Sequence, residues 1–358
     1  MKIAIIALTK QGKKTALRLK QHLPEETDLY LHEHSKPQDP AFSFKILREL
    51  MPKLWPAYPV LIFIMAAGIV TRQVARFLES KAKDPAVLVL DDNGRFVIPL
   101  LSGHLGGANA WSRYLADLLQ ATPIITTATD GASLIAPDEY ARRLSWKVWP
   151  LANLAGINRL LLERGYLTVW TEYTLAEKHP LKSDIKYIFL SENESEKADL
   201  IISAFPKAPE TKIYLIPRSL GAGIGCRRGI APETVLRAIS QALEQVGAAR
   251  EALGGIYSID LKADEPGLSQ AAEALGIPFK CFSSECIQEV NDQRNLTKSE
   301  FVKNKIGVDG VCEAAGILGT QMGELILPRL KLAGEGITIA LSRRKSLSWE
   351  SDPEIPFI

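Results

Sequence analysis

The sequence predicts a multidomain α/β protein, with open sheets whose strands run into helices through glycine-rich turns. Short apolar runs of strand length, among them Pro59–Met65, Ala86–Leu90 and Arg95–Leu100, alternate with segments whose apolar residues recur at helical spacing. Small or glycine-rich turns stand where strands end and helices begin, at Ala66–Gly68, Leu101–Asn109 and Gly221–Gly229. A chain of 358 residues, 46% of them hydrophobic, can bury more than one core, which favours two or three domains.

In chain order, Lys2–Leu8 reads as a buried strand, Lys13–Leu23 as an amphipathic helix and Leu29–His32 as a short strand. Phe44–Leu54 reads as a helix stopped by Trp55-Pro56, because proline cannot continue one. Pro59–Met65 is a strand, and Ile69–Leu78 has helical spacing with Arg72 and Arg76 on one face. Lys81–Pro85 leads into the strand Ala86–Leu90, and Asp92-Asn93-Gly94 is a hairpin turn into Arg95–Leu100. The helix Ala110–Gln120 follows. Asp138–Leu144 and Leu151–Arg164 read as helices, and Leu167–Trp170, Tyr187–Leu190 and Leu200–Ile202 as strands between charged segments. Lys207–Thr211 is the expected linker. Beyond it, Lys212–Ile216 is a strand, Gly221–Gly229 a glycine-rich turn into a helix opened by Ala231-Pro232-Glu233, and Ile256–Leu261, Ile277–Phe282 and Ile337–Ser342 are strands. Lys262–Gly267 starts a helix running to Leu275. The resulting division is an amino-terminal domain over 1–135, a variable middle domain over 136–210, a carboxyl-terminal domain over 211–345 and a tail over 346–358.

Composition excludes several classes. The formal charge is +2 and no Lys/Arg block stands out, which speaks against a nucleic-acid partner. The apolar run Val60–Val70 is too short to span a bilayer, and the amino terminus lacks a cleavage-type segment, so no membrane association and a cytoplasmic location are expected. The four cysteines, Cys226, Cys281, Cys286 and Cys312, form neither a CxxC pair nor a zinc-type cluster. Packed, reduced thiols and no bound metal are expected.

The chemistry concentrates in Leu101–Asn109. Gly103, Gly106 and Gly107 permit close approach to the backbone, the amides opening the next helix favour anions, and His104 stands in the middle. The spacing matches neither the dinucleotide fingerprint nor the phosphate loop, and the missing phosphate-loop lysine speaks against nucleotide binding. In an open sheet, ligands sit beyond the carboxyl ends of strands, so Ala66–Gly68, Ser102–Asn109 and Thr126–Asp130 are expected to converge on one site. Arg227 and Arg228 sit in the later glycine loop, where guanidinium forks suit carboxylates. The same patterns are also met by plain turns, in which His104 packs on its helix and the arginines face solvent.

Several long segments together resemble the cobalt-precorrin-5A hydrolases of the anaerobic cobalamin pathway. They are Met65–Val70 with Arg72, Lys83–Val87, Leu100–Asn109, Ile125–Asp130, Gly223–Gly229, Ser258–Leu268 and Gly307–Ala315. The resemblance implies three domains and a reaction: water opens the ring A lactone of cobalt-precorrin-5A, acetaldehyde is released and cobalt-precorrin-5B remains. It also implies a cobalt-corrinoid substrate that brings its own metal, with no separate cofactor. Such a substrate is an apolar disc rimmed by carboxylates, for which Gly68, Arg72, Ser102, Gly103, Gly106, Gly107, Asn109, Thr127, Asp130, Arg227 and Arg228 are the candidate binding residues. His104 is the candidate general base, and the amides of Leu105–Ala108 are the candidate oxyanion donors. A homodimer or transient contacts with neighbouring pathway enzymes, and a carrier role without chemistry, stay open.

Overall fold

The computed structural model describes residues 2–24, 26–35, 41–80, 83–132, 134–207 and 212–348. Lys81, Ala82, most of the expected linker (208–211) and most of the expected tail (349–358) lie outside them. The chain forms two compact units that divide after Arg143.

The first unit contains, in order, β1 (Ile3–Ala7), α1 (Lys10–Lys20), β2 (Thr27–His32), β3 (Phe42–Phe44), α2 (Leu47–Leu54), β4 (Val60–Ile64), α3 (Ala67–Val74), β5 (Ala86–Leu90), β6 (Phe96–Leu101), α4 (Ala108–Leu119), β7 (Thr122–Pro123), α5 (Ala128–Gly131) and α6 (Pro137–Arg143). The sheet order is β3-β2-β1-β4-β5-β6-β7. Strand periodicity sorts its side chains between two cores. Ile3, Ile5, Val60, Ile62, Ile64, Leu88 and Leu90 pack with Ala16 and Leu19 of α1 and with Trp111 and Leu115 of α4. Ala4, Ile6, Leu61, Phe63, Val87 and Val89 pack with Met51 and Leu54 of α2 and with Val70 and Val74 of α3. Because both faces are covered, the central strands are apolar throughout rather than alternating. The helix expected from Phe44 begins only at Leu47. Phe42–Phe44 instead adds a parallel edge strand to β2, with Phe44 buried in the core under α2.

The second unit contains β8 (Lys147–Trp149), α7 (Leu154–Arg164), β9 (Leu167–Thr171), β10 (Thr174–Leu175), α8 (Pro180–Ser183), β11 (Tyr187–Phe189), β12 (Leu200–Ile202), β13 (Ile213–Ile216), β14 (Leu220–Cys226), α9 (Pro232–Val246), β15 (Leu253–Ile259), α10 (Pro266–Leu275), β16 (Phe279–Phe282), α11 (Ser284–Arg294), α12 (Glu300–Ile306), α13 (Cys312–Gly319), β17 (Glu324–Leu332), β18 (Ile337–Arg343) and β19 (Ser346–Leu347). They form a sheet β11-β9-β12-β13-β8 and a sheet β16-β15-β14-β18-β17. The strand expected to open the carboxyl-terminal domain, β13, pairs with β12 and β8 and so completes the middle sheet. The two sheets are joined by more than chain continuity. Strand β19, near the carboxyl end, pairs with β10, and Arg343 donates to both Glu172 and Glu324. Among the described residues, no helix is long and apolar enough to cross a membrane.

One expectation is overturned here. Gly221, Gly223 and Gly225 do not make a turn: they lie inside the central strand β14, which pairs with β15 and β18. The reason is the helix laid across it. A Cβ on Gly223 would stand 1.8 Å from the Cys312 carbonyl oxygen and 2.5 Å from the Gly316 amide nitrogen. Glycine in this strand permits backbone-to-backbone packing with the small-residue helix α13 (Cys-Glu-Ala-Ala-Gly-Ile-Leu-Gly).

Gly223→Ala should therefore lower the unfolding midpoint by an amount equal to about 3 kcal/mol or more, since the overlap is with main chain that cannot rotate away. Gly156→Ala, in helix α7 with nothing within 4 Å of the added Cβ, should be neutral or stabilising by up to about 1 kcal/mol. Urea unfolding of the two variants checks the contrast, and equal midpoints would refute it.

Candidate active site

The position of the His104 loop follows from strand direction. In β4 and β5, parallel neighbours, Ile64 pairs with Leu90 at the carboxyl ends. Strand β6 then returns antiparallel, pairing Leu90 with Val97 and Val87 with Leu101. The loop after Leu101 thus leaves from the sheet edge opposite to the Ala66–Gly68 turn, about a strand length away at ~3.3 Å per residue. The expected convergence of three turns is reduced to two. Strand β7 runs parallel to β6, so Thr126–Asp130 emerges on the same edge as His104.

The loop is tightly wound on itself. Ser102 adopts φ 57°, in the left-handed region that costs a non-glycine residue of order 1 kcal/mol, and its hydroxyl donates to the Asp84 carbonyl at 3.0 Å. Gly103 and Gly106 have no room for a side chain: an added Cβ would meet Asn109 Oδ1 at 2.7 Å and Ser102 Cβ at 2.4 Å. Gly107 has φ 81° and carries Arg142 of α6 packed on its Cα. The amides of Gly107 and Ala108 donate to the carbonyls of His104 (3.0 Å) and Ser102 (3.1 Å). These two are spent within the loop rather than held open for an oxyanion, which corrects half of the expected donor set.

His104 is held on both nitrogens. Nε2 lies 3.1 Å from Asp130 Oδ2 and 3.2 Å from Thr129 Oγ1, and Nδ1 lies 3.4 Å from Asp138 Oδ2. Asp130 is itself saturated. Its Oδ2 accepts from Asn109 Nδ2 (3.0 Å) and Thr127 Oγ1 (2.5 Å), and its Oδ1 from the guanidinium of Arg113. Burial would raise Asp130, but the donors Thr127, Arg113 and His104 outweigh it and hold the carboxyl below its ordinary range. Burial would likewise lower His104, yet the hydrogen bonds and charges of Asp138, then Asp130, push the imidazole up to about 9. A shift in this direction favours the imidazolium, which has no free lone pair and can serve as an acid and an electrostatic group.

The structure thus gathers Ser102, Gly103, His104, Gly106, Gly107, Asn109, Thr127 and Asp130, and sets other expected residues elsewhere. Gly68 opens α3 at the opposite edge, and Arg72, exposed in the last turn of α3, donates to the Gly68 carbonyl at 3.0 Å. Arg227 and Arg228 belong to the second unit. Arg228 is exposed and already paired with Asp264 at 3.0 Å, while the Arg227 side chain lies along Gly336. Cys226 beside them is inert as a nucleophile, because burial pushes its thiol up to about 11. Two residues of the site escaped sequence reading, Arg113 and Asp138, and Thr129 lay within the expected Thr126–Asp130 turn without being singled out. Arg113 had a signal, since it stands one helical turn after Asn109 and so shares its face. Asp138 had none locally, because it is brought in by the docking of α6. There Glu139, its neighbour, is tied to Arg142 and Arg143 at 3.0 Å each.

Comparison with known proteins follows the same division. Residues 49–130 match the family described as Cobalamin synthesis G N-terminal, and residues 220–342 the family described as Cobalamin synthesis G C-terminus. These place the chain among proteins of cobalamin synthesis. It is 33% identical over 351 residues to the cobalt-precorrin-5A hydrolase of Salmonella typhimurium, covering 95% of this chain and 97% of that protein. It is 30% identical over 360 residues to the cobalt-precorrin-5A hydrolase of Priestia megaterium, covering 94% of each. The chain belongs to the cobalt-precorrin-5A hydrolase family. A solved structure of a cobalamin biosynthesis protein G homologue from Sulfolobus solfataricus aligns over 96% of this chain and 97% of that one, with 24% identity and a TM-score of 0.38.

The raised imidazole has a stability consequence of definite sign. A group whose folded value (about 9) exceeds its unfolded value (6.5) stabilises fully below pH 6.5 and loses that contribution as pH rises toward 9. The difference in unfolding midpoint between wild type and His104→Gln should be largest near about pH 6 and shrink by about pH 9.5. Urea titrations across that range test it. A difference that does not change with pH would mean that folding leaves the titration of the ring unshifted.

Proposed function

We propose that this protein hydrolyses cobalt-precorrin-5A, opening the ring A lactone with water and releasing acetaldehyde to give cobalt-precorrin-5B. The observation that carries the reading is identity along nearly the whole chain with proteins of that name. The His104 cradle supports it on chemical grounds. Lactone hydrolysis adds a water oxygen to the acyl carbon and breaks the bond from that carbon to the ring oxygen. The attacking water gives up a proton, the departing oxygen takes one up, and negative charge builds on the carbonyl oxygen. Release of acetaldehyde then needs a second step, in which the freed alcohol loses its proton to become the aldehyde carbonyl while its C–C bond to the macrocycle breaks and the macrocycle takes up the electron pair and a proton. In the lactone step an imidazolium serves the departing and carbonyl oxygens, because it donates Nε2–H and its charge favours the oxyanion. His104 therefore acts as general acid in this reading, and the cobalt belongs to the substrate. Asp130 is assigned to holding His104 rather than to touching substrate, because all its donors are already in place.

Wild-type protein given cobalt-precorrin-5A should release acetaldehyde, and His104→Ala should slow that release by about 10²–10⁴-fold. Substrate bound without acetaldehyde would replace the hydrolase reading with that of a corrinoid carrier.

A further inference from the structure

We propose that Asp138 is a positioning residue for this reaction: from the first turn of α6 it holds Nδ1 of His104, so that the proton on Nε2 is the one presented to substrate. The inference rests on the reading of His104 as general acid and extends it to a residue beyond the matched amino-terminal segment, which ends at Asp130.

An imidazolium has two protons, and a catalytic acid must offer a chosen one. The charged groups around the ring divide that task. From α5, Asp130 meets Nε2, and from α4, Arg113 meets Asp130. From α6, Asp138 meets Nδ1, while Glu139 is taken up by Arg142 and Arg143 on the same helix. Asp138 is 5% exposed, so its charge acts on the ring across little water. The Nδ1 side is closed by a buried carboxylate on a helix. The Nε2 side meets the hydroxyl of Thr129 as well as Asp130, at 3.2 Å and 3.1 Å, a shared hydrogen bond that a departing oxygen can replace in part. This is the arrangement in which a second carboxylate orients the ring and sustains its charge without taking the proton.

The decisive comparison is Asp138→Asn with Asp138→Ala. Asparagine keeps an acceptor for Nδ1–H and removes the charge; alanine removes both. Two readouts are needed: the NMR titration of His104 in the full chain, and the pH profile of kcat for acetaldehyde release. In Asp138→Asn the ring should titrate at least one unit lower than in wild type, and the alkaline limb of kcat should move down with it. The expected loss is roughly ten- to a hundredfold near pH 8.5 and only a few-fold near pH 6, with KM nearly unchanged. Asp138→Ala should lose kcat at every pH, because the ring is no longer oriented. An Asp138→Asn protein whose His104 titration and kcat profile both coincide with wild type would overturn the proposal. So would a loss that appears in KM alone. If wild type itself releases no acetaldehyde, the hydrolase reading fails and the role in that reaction falls with it. The ring titration would then still show whether Asp138 holds His104.

Discussion

Because Val87 pairs with Leu101 and Leu90 with Val97, strand β6 runs against its neighbour, and everything chemical in the first unit follows from that reversal. The parallel strands β1, β4 and β5 send their following turns to one edge of the sheet, where open α/β folds ordinarily place ligands. The reversal delivers His104 to the other edge. There β7, lying parallel to β6, brings Thr127, Thr129 and Asp130 beside it, and α6 docks against Gly107 and supplies Asp138. An edge with few small-residue turns thus becomes the one with a titratable cluster.

The cluster is stable because its charges balance. Two carboxylates, Asp130 and Asp138, face two cations, Arg113 and the His104 ring, and the hydroxyl and amide of Thr127 and Asn109 complete the donors. Removing any one member leaves a partly buried charge without its counterpart, which costs more than the lost hydrogen bond. The same balance gives the site its chemistry. A histidine in water is mostly neutral above its ordinary value, whereas the carboxylates here shift this one toward keeping its proton.

Much of this was legible in the amino-acid sequence. Ala86–Leu90 and Leu200–Ile202 form strands over the expected residues, and Pro232 opens its helix where the Ala-Pro-Glu signature placed it. Even the reversal of β6 had its signal, since Asp92-Asn93-Gly94 is a hairpin turn and a hairpin makes its strands antiparallel. What could not be read were features set by distant partners. The glycines of β14 mimic a loop until α13, almost a hundred residues later, is seen lying across them. The loop around His104 suggested a base of ordinary basicity, because both carboxylates that charge it arrive from later elements. Local pattern reports propensity, whereas the protonation state of a half-buried ring is a property of tertiary packing.

The pairing of β19 with β10 bears on how the protein is made. Thr174-Leu175, early in the second unit, find their strand partners among the described residues in Ser346-Leu347, about 170 residues later. During synthesis the middle sheet can assemble from its own strands, but the edge of β10 waits until residues 346 and 347 have left the ribosome. Contacts of such long sequence separation form late and slowly, and an open strand edge invites pairing with other nascent chains in the meantime. A ribosome that stalls before residue 346 therefore releases a second unit with an unclosed seam, and with it a substrate for chaperones or proteases.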